Sequence, residues 1–319
     1  MARQMLTQKY VEEIKERQEK KQKQEEGLQN VKFMSHSKFL QIVEPSNKYQ
    51  KIKKQTAIKL TLDKINVLKV VQSLIDFNRK LLKQQNIEEQ VDDYIFMNIS
   101  LQNASDFPNE TPIQIKLPNP IYHIDNQNKT EALLIVKEKP EIYTQMCADL
   151  DFPSIVHIKT VTEIKKECAD GKANVVKKFL NKFDLMLMDD RLAMTSIAKV
   201  LGGSDTLIKK RHFPMPVKIH GLDHQHFKKN IQEAFNSVGL LLTPSIEFIF
   251  KCGKTESMSN KEIVKNVINC AHKAVCLIMY SQRKIKHNKV KVISLQTTQS
   301  LALPIYEIGQ DDANNANIE

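Results

Sequence analysis

Residues 184–191, DLMLMDDR, are a nearly continuous apolar run that ends in two aspartates and an arginine. Two similar runs precede it, ALLIVKE at 132–138 and IVHIKT at 155–160, and a helical pattern follows each of the three. Strands buried on both faces of a parallel sheet have such unbroken apolar runs, and helices connect them. The order β-α-β-α-β-α therefore predicts a small parallel sheet with helices on both faces.

The sequence on either side of these runs follows a different pattern. An amphipathic segment at 63–84, with Asp63 as candidate N-cap, precedes two strand-like stretches, YIFMNISL and PIQIKLP. After the runs come a helical segment at about 223–237, the strand SIEFIFKCG and a helix that begins with the capping-box pair Ser259 and Glu262. The strands KVKVISLQT and LALPIYE end this part of the chain.

Two of these segments are predicted to bury one apolar face each. The apolar faces consist of Ile65, Leu68, Val71, Leu74, Ile75 and Leu81 in the helix and Ile246, Phe248 and Phe250 in the strand SIEFIFKCG.

Each flank lacks strands, so the two flanks together predict one α+β domain that is interrupted by an insertion. We expect a discontinuous α+β domain at 55–129 and 218–307, and an inserted parallel α/β domain at 130–217. Residues 1–54 are predicted to be a basic, partly helical extension, and residues 308–319 an acidic disordered tail. The segment YVEEIKERQEKKQKQEE pairs opposite charges at helical spacing, which is typical both of a solvated helix and of a helix ordered by a partner.

The composition favours a polyanionic partner. The 319 residues carry a formal charge of +11, with 41% hydrophobic and 27% charged residues, so the chain is a globular protein with an excess of positive charge. No apolar run approaches the length that spans a bilayer, and the N-terminus has no signal-peptide core, which argues against a membrane. The five cysteines have neither zinc-ligand spacing nor an even number, so reduced thiols are expected.

Several blocks occur together in one order. They are IVHIKTVTEIKKE, FDLMLMDDRLAMTSIAKVLGG, KKRHFPMPV and SLALPIYE. With these blocks, residues from about 60 to 307 resemble the ribosomal protein L-one domain family. The resemblance implies that family's architecture, a discontinuous domain with an inserted Rossmann-like domain. The Asp-Asp-Arg, the lysine-rich loop and the LPIY ending are most similar to the nucleolar assembly-factor branch, whose members bind ribosomal RNA precursors.

The resemblance also implies a set of RNA-binding residues. Where the family presents a Thr-Met-Gly turn to RNA, this chain has Thr297, Thr298, Gln299 and Ser300. Lys251 and Gly253 match a Lys-x-Gly element of the family, but Phe250 stands where an aspartate is expected. These departures imply a binding specificity that differs from that of the ribosomal stalk proteins.

Basic clusters supply further RNA-binding candidates, although charge runs are also typical of plain solvated surface. IKKRHFPMPVKIHG contains Lys209, Lys210 and Arg211, and Lys116 occupies a predicted strand of the discontinuous domain. The histidines at 212, 220, 224 and 226 lack cysteine or carboxylate partners at ligand spacing, so neutral or exposed roles are favoured over a metal site.

Asp189 and Asp190 admit a catalytic and a structural interpretation. Catalysis would require a nucleophile, a phosphate loop or further metal ligands, and the sequence has neither a Walker loop nor a GxGxxG motif. The structural interpretation makes one aspartate the N-cap of the next helix, with Arg191 paired locally. The glycines of GGS at 202–204 are expected to end that helix.

Three hypotheses remain. The first is a non-enzymatic, nucleolar ribosome biogenesis factor that binds precursor ribosomal RNA without cofactor or metal, and that contacts preribosomal proteins through its N-terminal helix. The second is a mature large-subunit ribosomal protein, against which the long extension and the altered turn argue. The third is a metal-dependent phosphate-transferring enzyme that uses Asp189 and Asp190.

Overall fold

The computed structural model describes residues 60, 62–85, 92–107, 112–124, 130–150, 152, 155–168, 172–281 and 289–308. The predicted extension at 1–54, and the predicted tail except for Ile308, lie outside the described residues. The described helices are α1 Lys64–Gln84, α2 Pro140–Asp149, α3 Val161–Glu167, α4 Ala173–Leu180, α5 Met194–Val200, α6 Ser204–Lys210, α7 His224–Phe235 and α8 Asn260–Ser281. The described strands are β1 Tyr94–Leu101, β2 Pro112–Lys116, β3 Ala132–Val136, β4 Ile155–Thr160, β5 Leu185–Asp189, β6 Met215–Val217, β7 Ser237–Leu241, β8 Glu247–Lys254, β9 Val290–Gln296 and β10 Leu303–Glu307.

The three apolar runs form the predicted parallel sheet, in the order β4-β3-β5-β6. Leu133 of β3 and Met186 of β5 belong to one core cluster with residues of α3, α4, α5 and α6. Leu134 and Leu187 alternate with them along the strands and are equally buried, so both faces of the sheet are covered. The mixed α/β fold class is confirmed.

A second, antiparallel sheet has the order β10-β9-β1-β8, and β2 pairs with β7 in a separate two-stranded sheet. The four-stranded sheet takes β1 from before the parallel sheet and its other three strands from after it. Helices α1 and α8 contact each other and pack against this sheet. Ile95, Met97 and Ile99 of β1 have no solvent exposure. The strand order agrees with an interrupted domain, while the domain boundaries stay predictions.

Several local predictions are confirmed. The carboxylate of Asp63 accepts a hydrogen bond from the amide of Ile65 at 2.9 Å, which caps α1. At the start of α8 the amide of Ser259 donates to Glu262 Oε2 at 2.9 Å, and the amide of Glu262 donates to Ser259 Oγ at 3.4 Å. Gly202 and Gly203 adopt positive φ angles of 80° and 96° after α5, where residues with a Cβ would be strained.

The predicted buried faces are partly wrong. Ile65 and Leu68 of α1 are 65% and 43% exposed, and Ile246 is 49% exposed and precedes β8. Helix α1 buries a face centred on Val71 and Leu74 instead, which also includes Val67, Val70, Ile75 and Asn78. The short strands β6 and β7 were not predicted, because β6 has three residues and Gly239 interrupts the apolar run of β7.

Candidate nucleic-acid interface

Lys251 links the antiparallel sheet to the parallel sheet. Its ammonium nitrogen lies 3.9 Å from the ring centroid of Tyr94 and donates a hydrogen bond of 3.3 Å to the carbonyl oxygen of Asp184, which directly precedes β5. The hydroxyl of Tyr94 donates to Asp184 Oδ1 at 3.1 Å. Burial lowers the pKa of Lys251 to about 7, against the opposing attraction of Asp184. Lys251 therefore serves as a contact between the two sheets in this arrangement.

Arg211 makes a second contact between the two sheets. It follows α6 in a left-handed conformation with φ of 52°, and its guanidinium carbon lies 4.7 Å from the centroid of the Phe96 ring. With the amide oxygen of Gln296 turned towards it, both terminal guanidinium nitrogens donate to that oxygen, at 2.8 and 3.0 Å. Burial lowers the pKa of Arg211, while the charge of Asp93 acts in the opposite direction. Phe96 pairs with both Gln296 and Lys251, so the predicted cations converge on the centre of the antiparallel sheet.

Lys209 and Lys210 end α6 and are exposed. Lys210 donates a long hydrogen bond of 3.4 Å to Asn181 Oδ1, just after α4. These two side chains are the predicted RNA-binding cations that are open to solvent near Lys251 and Arg211.

The turn at 297–300 is held by its own side chains. The amide of Thr297 donates to Ser300 Oγ at 2.8 Å, and the amide of Ser300 donates to Thr297 Oγ1 at 3.2 Å. Thr297 is buried, whereas Thr298 is exposed. The amide and hydroxyl of Thr298 both donate to the carboxylate of Asp93, which directly precedes β1. Thr298 and Gln299 are therefore the exposed residues of this turn, and Asp93 engages both hydrogen-bond donors of Thr298.

Two predicted site residues lie elsewhere. Gly253 is buried, and a Cβ at this position would lie 3.2 Å from Ile263 Cγ2 of α8. Its place is therefore the helix-packed face of the sheet, where it allows β8 to approach α8. Lys116 is exposed at the end of β2, and its carbonyl oxygen accepts a hydrogen bond from Lys273 Nζ at 2.8 Å. The structure does not bring either residue to Lys251 and Arg211.

Sequence reasoning missed Tyr94, Phe96, Asp93 and Asp184, which surround the cations. Alternation in YIFMNISL could have placed Tyr94 and Phe96 on the face opposite Ile95 and Met97. No sequence signal gives the partners of the two aspartates, because these contacts join residues far apart in the chain.

The predicted N-cap role of Asp189 or Asp190 is wrong. Helix α5 begins at Met194, and its N-cap residue Ala193 makes no side-chain hydrogen bond. Asp189 is instead a fully buried residue at the end of β5. Its carboxylate accepts from the amide of Arg191 at 3.0 Å and from the guanidinium NH2 at 2.5 Å, so the predicted local pairing of Arg191 is confirmed.

The pKa values of the two aspartates move in opposite directions. Burial alone would raise the pKa of Asp189, but the hydrogen bonds from Arg191 outweigh it and the pKa is lowered. Burial, together with the charge of Asp189, raises the pKa of Asp190. Arg191 occupies the carboxylate of Asp189. This pairing stabilises the fold, and it leaves Asp189 and Asp190 without two free carboxylates for a metal ion.

The described residues contain no group of three or more side chains suited to a metal ion. His224 lies 3.4 Å from Asp149 Oδ2, and His226 contacts the Asp223 carboxylate; both are exposed. Cys147, Cys168, Cys252 and Cys270 are buried free thiols, and Cys276 is exposed. None of the helices described here is long and apolar enough to cross a membrane.

Comparison with known proteins identifies the family. The profile of the Ribosomal protein L1p/L10e family matches residues 78–301, which is more than half of the chain. Over 268 residues the chain is 25% identical to a Schizosaccharomyces pombe protein named "Putative ribosome biogenesis protein", covering 79% of this chain and 65% of that protein. The chain thus spans less than two thirds of the length of this relative. The resemblance predicted from the sequence blocks is confirmed, and the chain belongs to the ribosomal protein L1p/L10e family.

Proposed function

We propose that the protein is a non-enzymatic ribosome biogenesis factor that binds precursor ribosomal RNA. The observation that carries the proposal is membership of a ribosomal protein family combined with a net charge of +11. The name of the fission yeast relative supports biogenesis over a place in the mature ribosome. A nucleolar location, and contacts with preribosomal proteins through residues 1–54, belong to the same proposal.

The surface proposed to meet RNA consists of Lys209, Lys210 and Thr298, with Lys251 and Arg211 beneath it. Exposed ammonium groups suit phosphates, whose neutralisation releases counterions and supplies sequence-independent affinity. The Thr298 hydroxyl carries no charge and can report on a 2′-OH or a base edge. In this division of roles the lysines supply affinity and the threonine supplies discrimination.

The experiment is a filter-binding series on precursor ribosomal RNA fragments and scrambled controls at several salt concentrations. With about four to six phosphate contacts, the slope of log K against log salt should be roughly −3 to −5. Lys209→Gln and Lys210→Gln should each reduce the slope by a little under one unit, on all RNAs. Lys80→Gln is the matched control, because Lys80 is an exposed lysine on α1, which packs against the antiparallel sheet on the side of Ile95 and Met97.

Two outcomes would contradict the proposal. RNA affinity that does not change with salt would show that the protein makes no phosphate contacts. Equal affinity for precursor and scrambled RNA would argue against a role in ribosome biogenesis. Magnesium-dependent phosphatase turnover that disappears in an Asp189→Asn, Asp190→Asn double variant would favour the enzyme hypothesis instead.

A further inference from the structure

A cleft of about 350 Å³ lies where the antiparallel sheet meets the parallel sheet. Its polar lining comes from both sides: β1 and β8 contribute two residues, and the segments after α4 and around the end of α6 contribute the others. The polar residues are Tyr94, Asn181, Asp184, Lys210, His212 and Lys251, and Leu180 and Phe183 form its apolar wall.

Basic side chains outnumber acidic side chains in the lining of the cleft. Lys210, His212 and Lys251 are basic, and Asp184 is the acid among the lining residues. Both carboxylate oxygens of Asp184 are already engaged, Oδ1 by the hydroxyl of Tyr94 at 3.1 Å and Oδ2 by the amide of Glu131 at 3.1 Å. One carboxylate with both oxygens engaged therefore faces three basic side chains.

The basic groups have weak partners within the described residues. Lys251 Nζ reaches the carbonyl oxygen of Asp184 at 3.3 Å, and Lys210 Nζ reaches Asn181 Oδ1 at 3.4 Å, both longer than good charge-assisted hydrogen bonds. His212 Nε2 is buried, and no described residue forms a hydrogen bond with it. A buried polar atom without a partner costs about 1–3 kcal/mol, so its presence beside a cleft calls for a ligand.

The pKa values of His212 and Lys251 agree with a site whose anion is missing. Burial, with smaller effects from Lys251 and Lys210, lowers the pKa of His212 well below its usual value. Burial lowers the pKa of Lys251 to about 7. Lys251 and Lys210 are therefore close enough to His212 to oppose its protonation, and an anion between them would remove that opposition.

We propose that this cleft binds one phosphate group, held by Lys210, Lys251 and protonated His212. A phosphate offers several acceptor oxygens, and these three side chains line the cleft from both the antiparallel-sheet side and the α6 side. The phosphate can belong to an RNA backbone or be free in solution, since both present the same oxygens. The site does not depend on the RNA-binding role, because a folded protein can bind phosphate here without recognising any ribosomal RNA.

The test follows the imidazole signals of the full-length protein by NMR with isotope-labelled histidine. The signal of His212 is assigned as the one that disappears in His212→Gln. Inorganic phosphate is added in one arm and the dinucleotide UpU in another, with chloride of matched ionic strength as reference. Phosphate binding should shift the His212 signal in a saturable way and raise the pKa of its imidazole, because the anion stabilises the protonated ring.

Lys210→Met should weaken this binding about tenfold, the effect of losing one charge-assisted hydrogen bond. Lys178→Met is the matched control, since Lys178 is an exposed lysine of α4, whose end borders the cleft, and it does not line the cleft. Saturation by UpU would identify an RNA backbone phosphate, and saturation by inorganic phosphate alone a free phosphate; either supports the site. The proposal is overturned when neither probe moves the His212 signal beyond chloride, or when both methionine variants bind equally.

Discussion

The hydroxyl of Thr298 donates a hydrogen bond to Asp93 Oδ1 at 2.5 Å, and its amide donates to Asp93 Oδ2 at 3.0 Å. Both donors of the residue proposed to read RNA are thus occupied by a carboxylate of the same protein. A carboxylate offers oxygens and negative charge as a phosphate does, so an RNA oxygen that accepts a hydrogen bond from Thr298 must first displace Asp93. Asp93 is therefore expected to compete with RNA.

Asp93→Asn should bind RNA more tightly, because it removes a negative charge that competes for Thr298 and repels phosphates. One charge at this distance near a surface contributes on the order of 1 kcal/mol, or about fivefold in affinity. Filter binding checks the change. Asp92→Asn is the matched control, since Asp92 accepts from the amide of Glu256 and lies one residue away. Equal gains in both variants would show a general charge effect and no competition at Thr298.

The Asp93–Thr298 contact also shows where prediction from sequence ends. The capping pair Ser259 and Glu262 could be predicted because the two residues lie three positions apart and the spacing itself carries the geometry. Thr298 and Asp93 are separated by 205 positions, and no periodicity relates them. Asp189 is a different case, because its contact with Arg191, two positions away, was predicted, whereas the start of α5 at Met194 was not.

The pattern of apolar residues in the sequence likewise predicted the buried strands, but it did not predict which face of helix α1 is buried. The unbroken apolar run of β5 is buried throughout, because the sheet covers both of its faces. Helix α1 has apolar residues around more than half of its circumference, so sequence alone could not tell that Ile65 would face solvent.

Asp189→Asn and Asp190→Asn should change stability in opposite directions. Asp189→Asn removes a buried charge paired with Arg191 and should cost about 2–3 kcal/mol. Asp190→Asn removes a carboxylate whose pKa the fold raises, so at neutral pH it should be neutral or stabilising by up to about 1 kcal/mol. Denaturant unfolding at pH 7 measures both values. Equal destabilisation by the two variants would contradict the separate roles.

The pH dependence of these variants follows from the same shifts. The lowered pKa of Asp189 means that its contribution is present above the unfolded-chain value of 3.8 and is lost as the pH falls through the lower folded value. Asp189→Asn should therefore differ most from the wild type at neutral pH and converge with it in strong acid. Asp190 behaves oppositely, since its raised pKa gives stability at low pH that is lost as the pH rises through the folded value.

Gly253→Ala should lower stability without a direct effect on RNA binding. The added Cβ would meet Ile263 Cγ2 at 3.2 Å and Cγ1 at 3.3 Å, so the Ile263 side chain must move in a packed core, at a cost of about 1–3 kcal/mol. In an Ile263→Ala background, Gly253→Ala should cost less than it does in the wild type, because the clashing atoms are absent there. Thermal unfolding and filter binding well below the transition measure the two effects. A large loss of RNA affinity in a stably folded Gly253→Ala protein would show that this glycine belongs to the RNA-binding surface.

Arg211 combines a strained backbone with a side chain that joins the two sheets, and two substitutions separate these properties. Arg211→Ala and Arg211→Gly both remove the guanidinium from Phe96 and Gln296, which should cost about 1–2 kcal/mol. Glycine adopts the observed φ of 52° without the Cβ strain, so Arg211→Gly should be more stable than Arg211→Ala by about 1 kcal/mol. Denaturant unfolding gives the difference in stability between the two variants.

Filter binding should show the same loss of RNA affinity in Arg211→Ala and Arg211→Gly, since both lack the same charge. An affinity that follows stability instead, with Arg211→Gly closer to the wild type, would mean that Arg211 acts on RNA only by holding the two sheets together.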